Sequence, residues 1–106
     1  MSVWTVDRPA QNALGRITIE LSCVGDQVEA LRVKADTRCG RVLCSWNWSE
    51  QAEQVGDALV AVFFTFSATR TMRLNLDDGR LSVFVDNQYN QTDRPSDTLT
   101  AQMTRQ

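Results

Sequence analysis

The chain has 106 residues, of which 42% are hydrophobic and 23% are charged, and this composition fits one globular domain and excludes a disordered chain. Its 11 basic and 13 acidic residues give a formal charge of -2. The basic residues are spread along the sequence, which argues against a nucleic-acid partner. The longest apolar run, Ala58 to Phe64, is shorter than the roughly 20 residues of a membrane-spanning helix, so no membrane insertion is expected.

A first hairpin is predicted from residue 17 onward, because apolar residues there alternate with polar ones. The alternating positions are Ile17, Ile19, Leu21 and Cys23, and Gly25-Asp26 provides a turn before a return strand. Within the return strand, the apolar residues change from even-numbered to odd-numbered positions. One extra residue near Ala30, a β-bulge, would align Leu21 with Leu31 and Ile19 with Val33.

The middle of the chain predicts two further strands separated by a polar segment. Apolar residues alternate at Val42, Cys44, Trp46 and Trp48. Residues 49–55 are typical of one short helical turn with Ser49 as N-cap, or of a polar loop, and we favour the helical turn. The run from Leu59 to Phe66 is apolar at both parities, which is typical of a central strand covered on both faces.

A second hairpin is predicted with its full register. Asp78-Gly79, a pair favoured in type I′ turns, joins two alternating runs between Met72 and Val85. A two-residue turn fixes the pairing, and three apolar pairs then share one face: Leu76 with Leu81, Leu74 with Val83, and Met72 with Val85.

The flanks and the overall spacing complete the fold prediction. Residues 3–6 and 98–103 are predicted edge strands, and the polar segment 87–97, which contains Pro95, is a predicted loop. We therefore expect residues 1–106 to form a single all-β domain of about seven strands. It would be an antiparallel β-sandwich of immunoglobulin-like type or a small barrel.

No catalytic constellation is recognised. The sequence contains no histidine, the commonest general base and the commonest zinc ligand. The nearest carboxylate group, Asp77, Asp78 and Asp86, is explained by the predicted hairpin and its turn. We expect no enzyme activity, no metal site and no cofactor.

The three cysteines leave the redox state open. A Cys39–Cys44 disulfide requires a turn at Gly40-Arg41, since an extended segment would hold the two residues about 16 Å apart. A bond from Cys23 to either of them is the alternative. In a reducing compartment all three would be small buried groups, and Cys23 has the parity of the core.

By elimination, we expect a non-enzymatic protein that binds another protein, as an inhibitor, immunity protein or assembly accessory factor. Its candidate contact residues are Trp46, Trp48, Tyr89, Asn90 and Arg94. One alternative is a carbohydrate-binding module that uses Trp46 and Trp48 as a flat platform, and another is a self-assembling structural subunit.

The sequence leaves the cellular setting and the assembly state open as well. We expect a monomer or a small homo-oligomer. The protein would be cytoplasmic if Met1 is the native start, and periplasmic or secreted if the chain is a mature fragment.

Overall fold

The computed structural model describes residues 1–91 and 93–106 of the chain, without the side chains of residues 27–30. The described residues contain nine β-strands, all in one antiparallel sheet. In chain order these strands are β1 (Ser2–Thr5), β2 (Leu14–Val24), β3 (Gln27–Cys39), β4 (Val42–Trp48), β5 (Gln51–Val55), β6 (Ala58–Phe64), β7 (Ala68–Asp77), β8 (Arg80–Tyr89) and β9 (Asp97–Arg105).

The order across the sheet is β4-β3-β2-β1-β9-β8-β7-β6-β5. The prediction of an all-β fold is confirmed. The described residues form nine strands, whereas we expected about seven. The sandwich or barrel form, and its immunoglobulin-like type, stay predictions. Among the described residues, no helix has the length and apolar character needed to span a bilayer.

The hairpin formed by β7 and β8 has the predicted register. Leu76 pairs with Leu81, Leu74 with Val83, and Met72 with Val85. Asp78 and Gly79 both adopt positive φ angles, of 55° and 77°, as a type I′ turn requires. Turn chemistry and apolar alternation therefore specify this part of the sheet together.

The hairpin formed by β2 and β3 contains the predicted bulge. Leu21 pairs with Leu31 and Ile19 with Val33, and the register shifts between Ser22 and Cys23. Cys23 is exposed, however, so the prediction from its core parity is wrong. The hairpin extends past the core, as the 63% exposure of its neighbour Val24 shows.

The helical turn predicted over residues 49–55 is wrong, because Gln51–Val55 is strand β5. Gly56, with a φ of 60°, and Asp57 form a turn that pairs β5 with the apolar strand β6. Ser49 does not cap a helix; its Oγ accepts a hydrogen bond from the Val33 amide at 3.1 Å. Pairing along a whole strand satisfies more backbone groups than one helical turn would.

Three strand positions also differ from prediction. Strand β6 lies next to the end strand β5 rather than in the middle, and its Phe64 is 59% exposed. Strands β1 and β9, predicted as edges, pair with each other and are both internal. Local apolar patterns indicate that a strand forms, but they do not determine which strand lies beside it.

The two ends of the sheet are joined through residues 49 and 50. The Ser49 amide donates to the Val33 carbonyl at 2.7 Å, and the Glu50 amide donates to the Val62 carbonyl at 2.9 Å. Trp46 of β4 packs edge-on against Phe63 of β6, with ring centroids 5.6 Å apart. The sheet therefore curls around one core, which includes Ile17, Val33, Phe63, Met72, Leu74, Val85 and Met103.

A disulfide joins Cys39 and Cys44 across the β3–β4 turn. Their Cα atoms are 5.8 Å apart, and Gly40 adopts a φ of 68° in the turn between them. Of the pairings considered from the sequence, this is the one that the fold forms, and the turn at Gly40-Arg41 that it requires is present. Cys23 takes no part in the bond.

Candidate functional site

A polar cleft of about 420 Å³ lies where the strands end in two loops, one that connects β6 to β7 and one that connects β8 to β9. Its lining includes the loop residues Asn12, Ser67 and Arg94, while the others project from strands: Thr37, Trp46, Arg70, Asn87, Tyr89, Asp97 and Leu99. These polar groups lie beyond the apolar core along the same strands. The cleft is therefore a candidate binding site.

Strand register brings the central residues of the cleft together. Arg70 of β7 pairs with Asn87 of β8, and Asn87 pairs with Asp97 of β9. The three side chains form one row across adjacent strands. Arg70 Nη1 donates to Asn87 Oδ1 at 2.8 Å, and Asn87 Nδ2 donates to Asp97 Oδ1 at 2.9 Å.

Arg70 is held by further contacts. Its Nε donates to Thr65 Oγ1 at 3.2 Å, and Thr65 Oγ1 itself donates to the Ala68 carbonyl at 3.0 Å. The guanidinium carbon lies 4.6 Å from the centroid of the Trp46 ring, a distance typical of a cation–π contact. The direct contacts that orient Arg70 are thus made by neutral groups.

Asp97 accepts hydrogen bonds from two side chains. Besides the bond from Asn87, the Tyr89 hydroxyl lies 2.8 Å from Oδ2 and 3.0 Å from Oδ1. The hydrogen bond from Asn87, and then that from Tyr89, lower the pKa of Asp97 below its ordinary value of 3.8. The carboxylate is therefore the form that fits this row.

We predict that Asp97→Asn weakens the acid dependence of stability. The pKa of Asp97 is lowered in the folded protein. The stability that the ionised carboxylate adds is therefore fully present above its ordinary pKa of 3.8, and it is lost as the pH falls through the lowered pKa. Urea unfolding between pH 7 and pH 2 measures this. Asp57→Asn is the control, because it removes a carboxylate at the β5–β6 turn, outside the cleft, and should leave the pH dependence of stability as in wild type. Identical pH profiles for wild type and Asp97→Asn would contradict the prediction.

A second, smaller pocket of about 260 Å³, called here the Phe66 pocket, adjoins the cleft and shares Ser67, Tyr89 and Arg94 with it. The Arg94 guanidinium carbon lies 3.7 Å from the centroid of the Tyr89 ring. Phe66, which also lines this pocket, is fully exposed at 103%. An aromatic side chain that remains in water beside an arginine and a tyrosine is typical of a contact surface.

Asn90 connects the two loops of this pocket. Its Nδ2 donates to the Phe66 carbonyl at 3.1 Å, and its backbone amide donates to the Ser67 carbonyl at 2.9 Å. The loop that carries Phe66 is therefore tied to the start of the β8–β9 connection.

The structure brings four of the five predicted contact residues to this end of the molecule. Trp46, Tyr89 and Arg94 line the cleft, and Asn90 lines the adjoining pocket. Trp48 lies elsewhere. It pairs with Lys34 and is covered by the Arg32 guanidinium, whose carbon is 4.2 Å from the centroid of the Trp48 ring.

The two tryptophans do not form the shared platform that the alternative of a carbohydrate-binding module requires. Asn47 adopts a φ of 66°, and the register of β4 shifts between Ser45 and Trp48. The extra residue turns Trp48 to the face opposite Trp46, which packs on the core residue Phe63. A flat surface made of both indoles is therefore not present among the described residues.

Three central residues of the cleft were not predicted, namely Arg70, Asn87 and Asp97. The predicted loop 87–97 is too long, because Asn87 to Tyr89 belong to β8 and Asp97 begins β9. The signal was nevertheless present. The register set by Asp78-Gly79, extended past Met72 and Val85, puts Arg70 opposite Asn87.

The chemistry of the cleft favours binding through hydrogen bonds and charge. Arg70 and Arg94 supply guanidinium groups, and Asn12, Thr37 and Ser67 supply neutral polar groups. Among the side chains that the structure describes, which exclude those of residues 27–30 and 92, no group of three or more histidine, cysteine, aspartate or glutamate residues is arranged to hold a metal ion.

Comparison with known proteins finds no matching family model, no similar curated protein and no similar solved structure, so the function is inferred from the geometry of the site.

Proposed function

We propose that the chain is a non-enzymatic binding protein that contacts another protein through the surface formed by Phe66, Tyr89, Asn90 and Arg94. The observation that carries the proposal is the complete exposure of Phe66 beside the Arg94–Tyr89 stack. Tyrosine and arginine are among the residues that contribute most to binding energy at protein interfaces, and large aromatic side chains bury much area there.

The attachment of the Phe66 loop supports the same function. Because Asn90 bonds to the carbonyl groups of Phe66 and Ser67, the loop is held before a partner arrives. Binding then costs less conformational entropy than it would from a mobile loop. An inhibitor, an immunity protein or an assembly accessory factor would bind its target in this way.

The test compares two phenylalanine variants. The full-length chain is used to capture its partner from the native host, and the purified partner is then titrated by calorimetry against wild type, Phe66→Ala and Phe84→Ala. We expect Phe66→Ala to weaken binding by about tenfold or more, as for a central interface residue. Phe84 is the matched control, because it is 47% exposed and lies on β8 outside the proposed surface.

The proposal fails if no purified partner forms a saturable complex with the chain. It fails equally if Phe66→Ala binds as tightly as wild type, since the surface would then lie elsewhere.

A further inference from the structure

Arg70 is a well-positioned cation that forms no direct ion pair with a carboxylate of the described residues, although its charge acts on Asp97 from a greater distance. The ion pairs of the described residues join Arg16 to Asp36 and Arg32 to Glu20, and neither includes Arg70. Arg70 uses Nε and Nη1 for its bonds to Thr65 and Asn87. Its Nη2 donates to no acceptor in the described residues and is not completely enclosed, and Arg70 lines the cleft, so Nη2 is the donor left for a ligand there.

The charges that line the cleft favour an anion. Arg70 and Arg94 contribute two positive charges and Asp97 one negative charge, which leaves an excess of one positive charge. The Asp97 oxygens already accept hydrogen bonds from Asn87 and Tyr89. A carboxylate accepts short, charge-assisted hydrogen bonds from guanidinium N–H groups, and these are stronger than bonds to a neutral acceptor.

We propose that the cleft binds a carboxylate of the partner protein, with Arg70 Nη2 as its principal donor and Arg94 as the second cation. This inference rests on the proposed function. It commits to a protein carboxylate because Ser67, Tyr89 and Arg94 line both the cleft and the Phe66 pocket. A partner seated on Phe66 therefore lies next to the open donors of Arg70.

The first experiment needs no partner and uses acetate as the probe. Nitrogen–proton NMR spectra of the full chain follow the Arg70 Nε–H and Trp46 indole N–H signals during titration. We expect acetate to shift both signals saturably, whereas acetamide, which has the same shape without the charge, has no such effect. The inference is overturned if acetate gives no saturable shift, or if acetamide or sodium chloride at equal ionic strength gives the same one.

Three lysine variants locate the site. Arg70→Lys keeps the charge but loses the Nη2 donor and the two hydrogen bonds that orient the side chain, and we expect acetate affinity to fall by about tenfold. Arg94→Lys changes an exposed side chain and should also weaken binding, which gives a second variant if Arg70→Lys impairs folding. Arg32→Lys is the control, because Arg32 also stacks on a tryptophan but pairs with Glu20 outside the cleft.

The second experiment identifies the source of the carboxylate. With the purified partner, Arg70→Lys should weaken the complex by about tenfold, and changing one partner carboxylate to its amide should remove the difference between wild type and Arg70→Lys. If acetate binds but the complex is insensitive to Arg70→Lys, the partner carboxylate is excluded and the cleft takes a small acid. The effect of Phe66→Ala would then still support the proposed function.

Discussion

Replacement of Phe63 with alanine should lower the free energy of unfolding by about 3–5 kcal/mol, the range for a large aromatic removed from a core. Phe63 is 1% exposed and is the largest fully buried side chain of the described residues. It also receives the edge of Trp46 from β4. The substitution therefore opens a cavity where the two ends of the curled sheet meet.

The neighbouring phenylalanine is a matched control for this prediction. Phe64 belongs to the same strand but is 59% exposed. Phe64→Ala should change the free energy of unfolding by less than about 1 kcal/mol. Urea unfolding, followed by tryptophan fluorescence, measures both variants. Equal losses for the two would show that Phe63 does not join the ends of the sheet as described.

Replacement of Asn87 with alanine should cost about 2–3 kcal/mol and also reduce acetate binding in the cleft. Asn87 is 1% exposed, accepts a hydrogen bond from Arg70 and donates one to Asp97. Without it, both partners lose a hydrogen bond in the row. Asn87 is a positioning residue, because it acts on a ligand through the orientation of Arg70.

Two measurements separate the effects of Asn87→Ala on stability and on binding. Urea unfolding gives the loss of stability, and acetate titration of the folded variant, read from the Arg70 Nε–H signal, gives the change in affinity. Gln88→Ala is the control, since Gln88 is an exposed amide on the same strand. Unchanged acetate affinity in Asn87→Ala would show that Arg70 needs no support from this amide.

The parts of the fold that were predicted correctly are set by neighbouring residues. The Asp78-Gly79 turn determines the pairing of β7 with β8, and the apolar parity of β3 requires a bulge. The errors concern pairing between strands and the faces that strands present. Residues 51–55 have no strong local preference, and their pairing with β6 decides their structure.

The candidate site was predicted in part. A sequence shows the type of each residue and its local position, but it does not show which side chains of three adjacent strands will lie next to each other. Tyr89 and Arg94 were found as aromatic and cationic residues near a polar loop. Asp97 was assigned to that loop, although β8 and β9 place it beside Asn87. The opposite orientation of Trp48 depends on the left-handed conformation of Asn47, which a simple alternation of apolar residues does not indicate.

The sheet order also bears on how the chain folds. Each pairing between the described strands joins chain neighbours, except that of β1 with β9, in which Trp4 lies opposite Arg105. Pairs that are close in sequence need only short loops to close, whereas this one must bring together nearly the whole length of the chain. The hairpins can therefore form early and independently. We expect the β1–β9 seam to form last, because it closes the longest loop, and the core to be fully covered only after that step.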